Sequence, residues 1–237
     1  DRSAKNLEVW GAYIVRNNLH LFRNIDLYYF GLQRTSAMFD DGKGSEIRHS
    51  IGCRIWQDTG KWKYDIEALY QLGNFVKKKI LAWTASVSTS YSFDKIKWKP
   101  EVGLKVELIS GDKNYNDNRL QTFNPLFPRG AYFGLAALIG PSNLFDLHPS
   151  LTLNPISKLD VEIDYDIFWR YSLNDGLYAV NTALIYSGRN TNERYIGSQS
   201  ACAVVYKPDS FLYFRAEFTW FDSGQYLKAA GKGKDIL

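Results

Sequence analysis

Residues 159–171 alternate between apolar and polar side chains at almost every position, and no other feature of the sequence constrains the fold as strongly. Successive side chains of an extended strand point to opposite sides, so the apolar and aromatic residues from Leu159 to Tyr171 share one face, except for Phe168 on the other. The other face carries four acids and one arginine, which require water. At about 3.3 Å per residue, the segment spans roughly 40 Å, enough to cross a bilayer at a tilt.

The same alternation recurs along the chain. Strands of a soluble β-sandwich also alternate, so alternation alone does not indicate a membrane protein. The length and the number of these segments favour a transmembrane barrel. The sequence predicts an all-β fold with about ten antiparallel strands of roughly 10–15 residues each, as in a transmembrane β-barrel of the outer-membrane type. The clear strands fall at 46–56, 62–74, 79–93, 98–109, 159–171 and 211–221, and the weaker candidates at 7–15, 24–33, 144–154 and 195–206.

The composition favours a sheet in a membrane. Aromatic residues make up 16% of the chain, and Tyr and Trp suit the interface between lipid and water. The mean hydropathy is −0.31 and no long apolar stretch exists, which excludes a transmembrane helix, whereas barrel strands average to a polar score. The net charge of +4 is too small to indicate nucleic-acid binding. We expect outer-membrane lipids to be the partner of the apolar face.

The connections between the predicted strands alternate in length, which distinguishes the two ends of the sheet. Outer-membrane barrels have short turns on the periplasmic side and long loops on the outside, and a soluble barrel has no reason for this asymmetry. One short connection, at 75–79, is an exception on the long-loop side. The short connections fall at 57–61, 94–97, 154–158 and 207–210, and the long ones at 34–45, 110–143, 173–194 and after residue 221.

The sequence contains no constellation that indicates catalysis or a cofactor. His148 shares a face with Asp146 and Ser150, but residues two apart on a strand lie about 6.8 Å apart, too far for a nucleophile–base hydrogen bond. The histidines show no metal-ligand spacing. Cys53 and Cys202 fall inside predicted strands, which favours free thiols over a disulfide. We expect no catalytic residue, no metal and no cofactor.

The polar register concentrates basic side chains that we expect to line a lumen. Arginine presents a planar fork that matches a carboxylate, and acids on the same wall would hold the arginines and limit tight binding. A channel needs attraction strong enough to admit an ion and weak enough to release it. Cross-strand ion pairing in a solvated interior is an equally good interpretation of any one residue. The candidates are Arg48, Arg54, Arg170, Arg215, Lys63, Lys99 and Lys105.

Six stretches resemble the alginate export family of outer-membrane β-barrels, and their order and spacing fit the family across nearly the whole chain. The combination of the six carries the resemblance. They are Ala68–Phe75 (ALYQLGNF), Leu108–Asp112 (LISGD), Thr122–Gly134 (TFNPLFPRGAYFG), Asn143–His148 (NLFDLH), Phe168–Tyr178 (FWRYSLNDGLY) and Arg194–Gly197 (RYIG).

The resemblance implies a barrel of about 18 strands whose electropositive constriction passes an anionic polysaccharide. It also implies that residues 1–237 are a single, incomplete β-barrel domain, which lacks N-terminal strands and the last strand. Arg170 and Arg129 lie inside family-like stretches, so we expect them to contact the solute or to anchor a loop. The four acids of 159–171 dilute the positive lumen, so the resemblance supports an anion-tolerant pore better than alginate itself.

We therefore expect a channel of the bacterial outer membrane for the passive passage of an anionic polysaccharide, oligosaccharide or other anionic solute. The alternative is a structural or partner-docking barrel with a plugged lumen in a larger envelope complex, which a stoichiometric protein partner without conductance would indicate. A third hypothesis, a barrel hydrolase, would be revived if a serine-reactive probe labelled the chain.

Overall fold

The computed structural model describes residues 6–19, 23–128, 132–134 and 136–231, which form almost only β-strands and loops. Among these residues, no helix combines the length and the apolar character needed to cross a bilayer. In chain order the elements are β1 (Leu7–Asn17), β2 (Asn24–Phe39), β3 (Gly42–Gln57), β4 (Trp62–Phe75), β5 (Lys78–Ser92), β6 (Glu101–Ile109), β7 (Arg119–Leu120), β8 (Leu144–Ile156), β9 (Leu159–Arg170), β10 (Leu177–Tyr178), β11 (Leu184–Tyr186), β12 (Tyr195–Tyr206), β13 (Phe214–Ser223) and α1 (Gln225–Ala230).

Ten of the described strands form one antiparallel sheet, in the order β1-β2-β3-β4-β5-β6-β8-β9-β12-β13. The short β7 pairs in parallel with the start of β5, and β10 and β11 pair with each other. The all-β antiparallel fold predicted from the sequence is confirmed, with the predicted number of strands. Within the described residues β1 and β13 are edges, so this sheet is not closed.

The two faces of the sheet have opposite chemistry, and the apolar face is the exposed one. Ile51, Trp62 and Phe218 are 56%, 61% and 54% exposed, and no second layer covers them within the described residues. On the other face, hereafter the polar face, Arg48 and Gln71 are fully buried. A water-soluble protein buries its apolar side chains and exposes its charges. The observed distribution is the one expected when lipid surrounds the apolar face.

Two long connections fold back over the polar face: loop A (110–143, described except for 129–131 and 135) and loop B (171–194). Both loops leave the sheet at the same end, hereafter the long-loop end, and they cover the polar face there. Phe168, the residue that interrupts the alternation in β9, points into this covered region, which explains its place among charged neighbours. Buried apolar side chains of the strands pack there against those of the loops and α1: Phe39, Phe75, Ile80, Ile109, Leu120, Phe123, Phe133, Ile139, Leu144, Phe168, Leu177, Tyr178, Ile196, Phe221 and Tyr226.

Two details of the predicted boundaries are wrong. The long connection predicted over 34–45 does not exist, because β2 continues to Phe39 and β3 begins at Gly42. Polar residues in this stretch pair across the sheet instead, as Arg34 does with Glu46 at 2.5 Å. Lys99 does not line the polar face, because β6 begins only at Glu101 and Lys99 lies in the exposed turn before it.

Candidate functional site

Loops A and B are joined at their bases by a buried carboxylate. Asp175 of loop B is 1% exposed, and four donors surround it. The backbone N–H of Asp112 (2.7 Å) and the hydroxyl of Thr122 (2.5 Å) donate from loop A, and the N–H of Gly176 (2.8 Å) and the hydroxyl of Tyr178 (2.6 Å) donate from loop B. This arrangement, hereafter the loop clasp, satisfies both carboxylate oxygens and ties the two loops together.

Asn143 closes the loop clasp from the other end of loop A. Its φ of 51° is left-handed, a conformation that asparagine tolerates better than most residues. Its side-chain amide donates to the carbonyls of Ser172, Asp175 and Gly176 at 2.9–3.0 Å and accepts from the N–H of Ser172 at 2.7 Å. A Cβ at Gly111 would lie 1.9 Å from Oδ1 of Asn143, so only glycine fits there. Several of the family-like stretches thus meet at one buried junction.

Arg170 is enclosed beside the loop clasp and contacts backbone carbonyls of loop B. Its guanidinium donates to Leu173 O (3.0 Å), Thr191 O (2.8 Å) and Glu193 O (3.0 Å from Nε). The ring of Tyr226 covers the guanidinium at 4.1 Å, and Arg170 is 0% exposed. Of the two roles expected for this residue, the geometry supports loop anchoring. A solute could reach Arg170 only after loop B had moved away.

Arg48 anchors loop A in a comparable way. Its guanidinium contacts Glu46 (2.5 Å), Gln71 Oε1 (2.6 Å) and the carbonyl of Thr122 (3.1 Å). Opposite it on β4 stands Gly73, with a φ of +147°, where a Cβ would lie 2.0 Å from a carbonyl of β3. Arg48 is as fully enclosed as Arg170, so it holds loop A on the polar face and presents no surface to a solute in this conformation.

The four other described candidates lie on the polar face and remain partly exposed. Each forms an ion pair with an acid of the same face, so the basic side chains form a row of paired charges. Solute binding by these residues stays a prediction, and Arg129 lies outside the described residues. The pairs are Arg54–Asp65 (2.5 Å), Lys63–Glu101 (2.7 Å), Lys105–Glu107 (3.0 Å), Arg215–Glu162 (2.7 Å) and Arg215–Glu217 (2.7 Å).

Two of the cavities on the polar face are bordered by Arg54. A pocket of about 170 Å³ is bordered by Arg54, Lys63 and Asp65 together with Ser88 and Ser90 of β5. A larger cavity of about 490 Å³ lies between the sheet and segment 123–128 of loop A. The structure therefore brings two of the predicted cations, Arg54 and Lys63, together at one pocket. Ser88 and Ser90 border the same pocket, although the sequence alone did not mark them as candidates.

The polar face is divided into two zones of different charge. On β3, β4 and β6 the cations Arg48, Arg54, Lys63 and Lys105 are interspersed with acids of the same face, which are Glu46, Asp65, Glu67, Glu101 and Glu107. On β9, which is separated from β6 by β8, acids predominate: the strand presents four carboxylates on the same face, with a single arginine at its end. A contact for anions is therefore expected on β3–β6, away from β9.

Protonation of buried carboxyls links the loop clasp to pH. The pKa of Asp112 is raised to about 7, mainly by burial and also by the nearby carboxylates of Asp41 and Asp175. The amine of Lys78 lowers this pKa by less than the two carboxylates raise it. Burial also raises the pKa of Asp175 to about 6. Both carboxyls therefore bind protons more strongly in the folded protein than in an unfolded chain, where the value is 3.8.

We expect loop A to be held more firmly at pH 5 than at pH 8. A raised pKa gives stability that is full below about pH 4 and is lost as the pH rises to about 7. Limited proteolysis of 110–143 in detergent-solubilised protein measures this, with protease activity at each pH normalised on an unstructured peptide. Cleavage should be faster at pH 8, and Asp112→Asn should reduce the difference. Equal cleavage of the unaltered protein at both pH values would contradict the expectation.

Comparison with known protein families agrees with the resemblance noted in the sequence. A family model described as alginate export matches residues 1–234, a range that includes every described strand and both long loops. A comparison with curated proteins gave no match. The family match therefore rests on the whole sheet and on the loops that cover it.

Proposed function

Because the chain belongs to the alginate export family, we propose that it is an outer-membrane channel for an acidic saccharide, which passes passively along the polar face. Family membership indicates polysaccharide export across the bacterial outer membrane. Our proposal goes beyond family membership in two respects: the solute is acidic, and it moves down its own concentration gradient. One observation carries the proposal: the sheet leaves its apolar side chains exposed on one face and gathers its charged side chains on the other, as a wall between lipid and water does.

The contact for the solute lies on β3–β5, on the part of the polar face that the loops leave open. Arg54 and Lys63 border the smaller pocket with side chains that are 34% and 38% exposed. The hydroxyls of Ser88 and Ser90 line the same pocket. An acidic sugar carries a carboxylate that an arginine fork can bind and hydroxyls that serine can donate to or accept from.

Ion pairing on the wall would keep such binding weak. Arg54 already holds Asp65 through two contacts of 2.5 and 2.8 Å, and Lys63 holds Glu101 at 2.7 Å. A carboxylate of the solute must compete with these acids, so it gains only part of the energy of a free arginine. Brief occupancy of several such sites is what passage through a channel requires.

Replacing Arg54 with alanine is expected to shift the channel towards cations. Removal of the charge leaves Asp65 without its partner on the wall of the pocket. We expect the ratio of anion to cation permeability in planar bilayers to fall about tenfold, the equivalent of ~1.4 kcal/mol. Arg54→Lys should keep most of the selectivity, and Lys95→Ala, in the turn before β6, serves as the matched control. Strong cation selectivity of the unaltered channel, unchanged by Arg54→Ala, would refute the proposal.

The alternative, a plugged barrel with a structural or partner-docking role, is favoured by one observation. Loops A and B bury a continuous apolar core on the polar face at the long-loop end. If the loops never leave, the lumen stays closed. Absence of conductance together with a protein partner that copurifies in stoichiometric amount would support this alternative over the channel.

A further inference from the structure

Asp146, His148 and Asp166 form a cluster on the polar face that the proposed channel does not use. One ligand atom of each residue, a carboxylate oxygen or a ring nitrogen, lies within 4.8 Å of the other two. Asp146 and His148 are two residues apart on β8, so their side chains share a face. Asp166 reaches them from β9, the neighbouring antiparallel strand.

Within the described residues, the carboxylate of Asp146 lacks a hydrogen-bond partner. The residue is 0% exposed, and neither of its carboxylate oxygens has a hydrogen bond. Burying an unpaired carboxylate is costly, so its position calls for a cation. Lys105 does not fill this role, because its amine contacts Glu107 at 3.0 Å and lies 4.4 Å over the ring of Tyr132.

His148 is oriented as a ligand by a further carboxylate. Its Nε2 lies 3.0 Å from Oδ1 of Asp164, and its Nδ1 lies 2.8 Å from Oδ1 of Asp166. A carboxylate that accepts from one ring nitrogen fixes the tautomer and directs the other nitrogen to a metal. Asp164 is thus a positioning residue, and Nδ1 of His148 faces the cluster.

We propose that Asp146, His148 and Asp166 bind a divalent transition-metal ion such as Zn²⁺. An imidazole nitrogen with two carboxylates suits zinc or manganese, whereas Ca²⁺ and Mg²⁺ prefer oxygen ligands alone. Ligands about 2.1 Å from an ion lie about 3.4 Å apart in a tetrahedral site, so ligand atoms that are up to 4.8 Å apart here would draw together when the ion binds. Two aspartates and a neutral histidine also balance the charge of the ion.

The metal site is connected to loop A. Gln199 of β12 donates to Oδ2 of Asp166 at 3.2 Å and to the carbonyl of Phe133. His148 is partly exposed, its side chain being 23% accessible, so a coordination position stays open to water. An ion held here would fix Asp166 and, through Gln199, the segment of loop A that crosses the polar face.

Equilibrium dialysis of the full chain in detergent micelles tests the proposal, with Zn²⁺ as the probe and bound metal measured by mass spectrometry. We expect one tightly bound Zn²⁺ per chain and at least a tenfold weaker affinity in Asp146→Asn and in His148→Gln. Asp160→Asn, on the same face of β9, and His49→Gln, on the apolar face, are the matched controls and should bind as the unaltered chain does. Excess Ca²⁺ or Mg²⁺ should not displace the zinc.

The absorption of bound Co²⁺ gives a measurement that does not depend on the variants folding. Coordination by the unaltered chain should change the visible bands of Co²⁺ from those of the hydrated ion, and circular dichroism of the strands checks each variant. The proposal is overturned if the unaltered chain binds no Zn²⁺ or leaves the Co²⁺ spectrum unchanged. It is equally overturned if folded Asp146→Asn and His148→Gln bind zinc unchanged, or if Ca²⁺ displaces it.

Discussion

Arg170→Ala is expected to release loop B from the polar face and to raise the conductance of the channel severalfold. The guanidinium is the donor to carbonyls of Leu173, Thr191 and Glu193, all within loop B. A buried carbonyl left without a donor costs about 1–3 kcal/mol and these carbonyls are partly buried, so the docked state of loop B loses roughly 2–4 kcal/mol in total. Limited proteolysis should cut 171–194 at least about tenfold faster, because cleavage follows the population of the open form.

Two variants separate this anchoring role from a simple loss of charge. Arg170→Lys should behave like Arg170→Ala, since a compact ammonium cannot reach carbonyls spread around a planar guanidinium. Lys113→Ala, which removes an exposed cation of the adjoining loop A, should leave cleavage and conductance unchanged. Unaltered cleavage of loop B in both Arg170 variants would show that other contacts hold it.

Val87→Arg is expected to destabilise the protein far more than Ser88→Arg, although the two positions are neighbours on β5. Val87 is 45% exposed on the apolar face, beside Ile66 of β4 and Val106 of β6. An arginine on the lipid face near the middle of a bilayer costs about 2–4 kcal/mol. Ser88 faces the polar side, where an added arginine remains in water.

Reversible unfolding in lipid vesicles measures the difference between these two variants. Ser88→Arg is the matched control, because the strand, its depth and the added side chain are the same. We expect its free energy of unfolding to lie within about 1 kcal/mol of that of the unaltered protein. Equal destabilisation by both substitutions would mean that the two faces of β5 do not meet different solvents.

The strands could be predicted because two solvents act on them. In β9 every apolar residue except Phe168 faces one side and each acid faces the other, so the sequence itself shows a period of two. The prediction is wrong at 34–45, where β2 and β3 continue although their side chains on the polar face are charged. These side chains pair with each other across the strands, as Arg34 does with Glu46. Polarity alone cannot distinguish a loop from a strand whose polar side chains pair with each other.

The loop clasp could not be predicted in the same way. Asp112 and Asp175 are 63 positions apart, and the contact between them depends on how two loops fold. The polar register of Arg48 and Arg170 was evident from the sequence, but their enclosure was not, because loops A and B cover them. The acidic cluster was missed for a related reason: Asp166 joins Asp146 and His148 only through the pairing of β8 with β9.

The proposed channel requires that one face of β9 contacts lipid and the other contacts water. Spin labels placed singly along residues 161–166 in lipid vesicles test this directly, because oxygen concentrates in lipid and a nickel chelate stays in water. The account predicts collisions with oxygen that peak at Val161, Ile163 and Tyr165, and collisions with nickel that peak at Glu162 and the other even-numbered positions. Accessibility to both reagents without a period of two, or with the faces reversed, would contradict it.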